Sequence, residues 1–175
     1  MLESERLLLR PVELTDVNET YQSWMNDPVV MQYTESRFQT HSLEQIRQYV
    51  LSVQADTSSR FFAIIEKASG KHIGNIKIGH IHPVHRHADV GIIIGDRASW
   101  GKGYATESLR LVAGHASVEL RLHKLWAGIY ANNTGSLKAF LKAGFVVEGR
   151  FACHCFCDGE YVDGLQMGLL LEEML

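Results

Sequence analysis

Gly91-Ile-Ile-Ile-Gly-Asp-Arg-Ala-Ser-Trp-Gly-Lys-Gly-Tyr-Ala-Thr-Glu-Ser-Leu109 decides the reading of this chain. Val90 to Ile94 is short, apolar and β-branched, the composition of a strand covered on both faces. Gly101 and Gly103 flank Lys102, so backbone there can approach a ligand closely. From Tyr104, the residues Ala105, Leu109, Val112, Ala113 and Ala116 recur at helical spacing. A glycine loop that opens a helix binds anions, because amides there lack partners and the helix dipole is positive. The expected ligand carries phosphate.

Two common phosphate loops do not fit. A P-loop places four residues between its first glycine and Gly-Lys-Ser/Thr. Here five residues separate Gly95 from Gly101, and Gly103 stands where a hydroxyl would hold magnesium. The dinucleotide fingerprint Gly-x-Gly-x-x-Gly fails as well, since Thr106 occupies its third glycine position.

With 175 residues the chain is read as one domain, 1–175, long enough to bury a core. Hydrophobic residues at 46% and charged residues at 21% are ordinary for a globular protein. A net charge of −3 argues against nucleic acid as a partner, so phosphate must be met locally. No run is long enough to span a membrane and the start lacks a signal-peptide core, which makes the cytoplasm the expected location. The three cysteines lie in Cys153-His-Cys-Phe-Cys157, where a strand would put them on one face. These and the histidines of His80 to His87 read as structural residues and hairpin loop, and no metal is expected.

Arg6 to Val12 reads as an edge strand ending at proline, followed by a helix capped by Thr15 and ended by Asn26-Asp27-Pro28. Val29 to Thr40 shows no period. Ser42 and Gln45 form a capping box for a helix with Leu43, Ile46, Val50 and Val53 inward. Strands follow at Arg60 to Glu66, Ile73 to Ile81 and Ala88 to Ile94, then the glycine-loop helix and a strand from Leu125 to Tyr130. Asn132 to Ser136 turns into a short helix with Leu137, Phe140 and Leu141 inward, closed by Gly144. Asp158-Gly159 closes a final hairpin between a strand reaching about Cys157 and one from Tyr161 to Leu171. The pattern is a mixed α+β sheet in one domain.

Together these stretches resemble the Gcn5-related N-acetyltransferase (GNAT) superfamily, in its RimJ/RimL-type branch. Trp100-Gly-Lys-Gly-Tyr-Ala105 is similar to the family's Gln/Arg-x-x-Gly-x-Gly/Ala loop at Gly103 and Ala105, with Trp100 in place of Gln or Arg. Thr106-Glu107, Asn133-Thr-Gly-Ser136, Lys142-Ala-Gly-Phe145, Glu148-Gly149 and Asp158-Gly-Glu-Tyr-Val-Asp163 continue the likeness in the branch's order. The resemblance implies a largely antiparallel sheet with one splayed parallel pair, flanked by helices. It also implies acetyl-CoA as cosubstrate and a primary amine as acceptor, in a monomer or homodimer.

Carried over residue by residue, the resemblance places pantetheine beside Ile92, Ile93 and Ile94. The pyrophosphate falls on Trp100, Gly101, Lys102, Gly103, Tyr104 and Ala105, with Asn133 and Ser136 near the thioester and Lys142 near phosphate. The acceptor wall is Met25 to Thr40, with Tyr33, Glu35, Arg37 and Phe38 as contacts. Where many relatives carry a tyrosine acid this chain has Phe140, and where some place a carboxylate it has Gly128. Ser136 is therefore the first candidate acid, and Asp89, His154 and Glu35 are the candidate bases. Members of this branch acetylate protein N-termini, polyamines or nucleotide-linked amino sugars. A catalytically silent acyl-CoA sensor is the alternative those two departures permit.

Overall fold

Alternating burial along the strands assigns each face of the sheet to its own core. The computed structural model describes residues 1–171, and the last four residues of the expected 1–175 domain lie outside them. Among these residues the strands are β1 (Leu2–Glu3), β2 (Leu7–Pro11), β3 (Arg60–Glu66), β4 (Lys71–His82), β5 (His87–Ile94), β6 (Lys124–Tyr130), β7 (Val146–Cys157) and β8 (Glu160–Leu170). The helices are α1 (Glu19–Asn26), α2 (Pro28–Met31), α3 (Leu43–Ala55), α4 (Tyr104–Val118) and α5 (Thr134–Lys142). One sheet runs in the order β1-β2-β3-β4-β5-β6-β8-β7.

On one face, Leu9, Ile64, Ile76, Val90 and Leu125 pack with Leu109 and Val112 of α4 and Phe140 of α5. On the other, Val12 and Ala63 lie under Tyr21 and Trp24 of α1 and Ile46 and Val50 of α3. The sheet is antiparallel except between β5 and β6. That parallel pair holds only from His87↔Lys124 to Asp89↔Trp126 and then parts. Beyond it, β5 keeps β4 and β6 keeps β8, leaving two backbone edges facing a gap. Among the described residues no helix is long and apolar enough to cross a membrane.

Several local expectations need correcting. The first helix is capped by Asn18, whose side chain accepts from the Tyr21 amide, while Thr15 sits in a preceding 3-10 turn. The strand from Leu7 is not at the edge, because the two residues of β1 pair outside it. Pro28 both stops α1 and opens α2 at its first turn, where a missing N–H costs nothing. The segment expected to be irregular thus holds α2 and a 3-10 turn at Glu35–Phe38. Leu141 does not turn inward but is 47% exposed.

Two further corrections concern strands. The three cysteines do not share a face, because β7 bulges between Phe151 and Cys155, with Cys153 at a φ of 49°. Cys157 is consequently buried while Cys153 is exposed. The stretch Gly91–Ile94 is not covered on both faces; Gly91 is exposed and the isoleucines half-buried. The closing turn is as expected, with Asp158 and Gly159 both at positive φ (52° and 86°), the geometry that matches hairpin twist.

Candidate active site

The glycine loop is built from its own backbone and held from behind. Gly101 and Gly103 take φ values of 74° and 84°, a left-handed conformation that glycine adopts without strain. Gly103 is the cap of α4, and the first helical bond runs from the Glu107 amide to the Gly103 carbonyl. The amides of Tyr104, Ala105 and Thr106 therefore have no partner within the helix. Arg6 on the neighbouring chain segment donates to the Lys102 carbonyl at 3.0 Å, pairs with Glu107 and lies over the Tyr104 ring. The Tyr104 hydroxyl donates to Glu66 at 2.5 Å. Trp100 spans the mouth, its indole N–H donating to the Ile94 carbonyl at 2.7 Å.

From this loop a cavity of about 1250 Å³ runs along the parted edges of β5 and β6 to the wall made by α1, α2 and α3. Gly91 and Gly128 face each other's strands without side chains, and a Cβ on either would meet nothing within 4 Å. Asn133 caps α5, accepting from the Ser136 amide at 3.1 Å. Asn133 and not Ser136 is the cap, and the half-buried Ser136 hydroxyl bonds no described residue. Phe140 is buried edge-on against Phe145 and has no proton to give.

At the end of the cavity away from the glycine loop, Tyr130 gathers a small network. Its hydroxyl donates to Glu35 Oε1 at 2.5 Å and accepts from Arg37 at 2.9 Å. Burial, then the hydrogen bond to Glu35, push the Tyr130 hydroxyl above the usual tyrosine range, so it stays a donor at neutral pH. Arg37 also donates to the Phe156 carbonyl at 2.5 Å, and Gln32 donates to Asp158 at 2.7 Å. These bonds strap the wall segment to the β7–β8 hairpin.

Most of the expected site residues converge here. Ile92, Ile93, Ile94, Trp100, Gly101, Gly103, Tyr104, Ala105, Asn133, Ser136 and Lys142 all line the cavity, as do Tyr33 and Glu35. Five do not. Lys102 is not among the lining residues, and its carbonyl accepts from Arg6. Asp89 sits where β5 and β6 still pair and bonds His80 at 2.5 Å. His154 is exposed on the β7 bulge against Phe151. Arg37 stands behind the lining, and Phe38 is 66% exposed beneath its guanidinium. Tyr130 and Lys77 line the cavity and were not singled out in sequence. The alternation Trp126, Gly128, Tyr130 against buried Leu125, Ala127, Ile129 assigns Tyr130 to this face, but nothing local announces its meeting with Glu35. The His82, His85 and His87 rings stack 4.4 to 5.9 Å apart at the β4–β5 hairpin, and no group among the described residues is arranged to hold a metal.

Known proteins share this arrangement. The family model described as an acetyltransferase (GNAT) domain matches residues 6–146. The spermidine N(1)-acetyltransferase of Escherichia coli (strain K12) is 27% identical over 167 residues, 95% of this chain and 87% of that one. The probable N-acetyltransferase YjcK of Bacillus subtilis (strain 168) is 31% identical over 85% of each chain. A crystal structure of spermidine N-acetyltransferase from Vibrio cholerae in complex with CoA and spermine superposes with a TM-score of 0.87 at 25% identity, covering 97% of this chain and 98% of that one. Parted parallel strands, an amide-lined glycine loop and a family match over most of the chain agree: it belongs to the GNAT acetyltransferase family and is an acetyl-CoA-dependent N-acetyltransferase.

Proposed function

We propose that this enzyme acetylates the primary amine of a small molecule rather than a protein N-terminus. The observation that carries the reading is the strapped wall: Gln32, Glu35 and Arg37 tie the α2 segment to Tyr130 and the β7–β8 hairpin. A folded protein's terminus needs an open groove, whereas a small amine fits behind a tethered wall. Relatives named as spermidine acetyltransferases support a small-molecule acceptor in this architecture.

Acetyl-CoA supplies the activated thioester. On this reading the amides of Gly101 to Ala105 hold its pyrophosphate and the free edge of Ile92 to Ile94 aligns its pantetheine. An amide near Ile93 faces the developing oxyanion, a stabilisation strongest as charge builds. Glu35, which lines the cavity, holds the incoming ammonium and accepts its proton. As the C–N bond forms and the C–S bond breaks, Ser136, whose hydroxyl is uncommitted, donates to the departing thiolate and takes the proton that the attacking nitrogen sheds, in the place of the tyrosine that Phe140 replaces.

Thiol release from acetyl-CoA, followed with a panel of small primary amines and of peptides with free N-termini, tests the acceptor. Turnover is expected with small amines; turnover confined to peptides would reject the reading. A pair of substitutions separates structure from chemistry on α5. Asn133→Ala is expected to lose about 1 kcal/mol of stability with its cap. Ser136→Ala should leave the urea melt unchanged and slow the chemical step by at most about 10²-fold, since serine is a weak acid. An unchanged single-turnover rate would remove Ser136 from the mechanism.

A further inference from the structure

We propose that Lys77 docks an anionic group on the acceptor, so that the substrate is a carboxylated or phosphorylated amine and not a polyamine. The proposal rests on the small-molecule reading above and names the substrate class within it. Lys77 lies on β4 directly across from Gly91, on the face roofed by α3, and lines the cavity. Its ammonium donates to the Tyr49 hydroxyl at 3.1 Å and lies 5.6 Å from that ring's centre. It is half-buried and forms no ion pair among the described residues. A cavity-lining cation that forms no ion pair can meet an incoming anion with a charge-assisted hydrogen bond.

The other charged groups on this face are already engaged. Asp89 shares the face, its carboxylate and the Lys77 Cε both within 3.3 Å of where a Gly79 Cβ would stand, but it bonds His80 rather than Lys77 and lies outside the cavity lining. The His41 ring meets the Ser36 carbonyl at 2.9 Å. Glu35 is held by Tyr130 at the far wall. The acceptor half therefore offers one carboxylate and one unpaired ammonium, separated by the bare backbone of Gly91 and Gly128. That polarity complements a molecule with an amine at one end and an anion at the other. A polyamine would bring several cations against a single carboxylate and set one of them beside Lys77, a repulsion that works as negative selection.

The test compares kcat/KM for 4-aminobutyrate and O-phosphoethanolamine with butylamine, ethanolamine and spermidine, by thiol release from acetyl-CoA. The first two distinguish carboxylate from phosphate. At least one is expected to exceed its counterpart without the anion, and spermidine, by about 10- to 100-fold, the value of one charge-assisted hydrogen bond. Lys77→Met should abolish that advantage through KM, with acetyl-CoA affinity and melting temperature held; Lys77→Arg should restore it. Lys77→Glu should shift preference toward spermidine. A wild-type preference for butylamine or spermidine overturns the proposal but leaves the small-molecule reading standing. So does an anion preference that survives in Lys77→Met. Release with no small amine overturns both.

Discussion

Glu35→Gln is expected to lower kcat/KM by about 10²-fold or more, the usual worth of a positioned acid or base. A primary amine arrives as ammonium at neutral pH, since a lysine-like amine has a pKa near 10.4, and it must lose that proton before attack. Glu35 is the single carboxylate among the residues lining the cavity. Glutamine preserves the shape and can still accept from the Tyr130 hydroxyl, so the wall stays strapped while the charge is lost. Acetyl-CoA affinity should be unchanged, because the cofactor loop lies at the cavity's other end. An unchanged kcat/KM in a folded Glu35→Gln would assign the proton to water or another group. Tyr130→Phe, which spares the charge but removes its donor, should cost less than Glu35→Gln.

Gly103→Val carries the second large effect, on the cofactor. Gly103 sits at a φ of 84°, where a β-branched residue is strained, and a left-handed residue costs about 1–2 kcal/mol. A Cβ there would also stand 3.6 Å from the Arg6 guanidinium, which holds the loop through the Lys102 carbonyl, so the added methyls would crowd that support. Losing one or two charge-assisted bonds to phosphate is expected to weaken acetyl-CoA binding about 10- to 100-fold. The matched control is Gly70→Val, at a φ of 69° in the β3–β4 turn, with open space around its Cβ. The control should lose similar stability and keep its affinity for acetyl-CoA in calorimetry. Parallel loss of affinity in both variants would attribute the effect to instability. Unchanged affinity in a folded Gly103→Val would place the pyrophosphate elsewhere.

The parts legible in sequence are those whose cause lies within a few residues. The glycine loop and its helix, the Ser42–Gln45 capping box and the Asp158-Gly159 turn follow from backbone preferences at single positions. The family was legible too, because its motifs occur in order from Trp100 to Asp163, and the resemblance implied the parallel pair and the cofactor. Where local signals competed, short-range reading missed. Thr15 and Asn18 are both good caps, and packing of Tyr21 and Trp24 against the sheet selects Asn18. A two-residue strand at Leu2 has too little pattern to announce itself, yet it moves Leu7–Pro11 from the edge to the interior.

The chemistry of the acceptor half was decided by the fold. Asp89 interrupts an apolar run and looked like a base, but the hairpin brings His80 to it and the unparted strands keep it from the cavity. Tyr130 meets Glu35 across 95 residues, and Lys77, opposite Gly91, meets the Tyr49 hydroxyl of α3 and no carboxylate within ion-pair distance. Such convergences have no periodic signature. A strand's own sequence says which side chains share a face, but strand register and the placement of a distant wall decide which charges meet. This sequence by itself determined the loop, the cofactor and the α+β class; only the tertiary structure, by pairing some charges and stranding others, decided where an acceptor would be held.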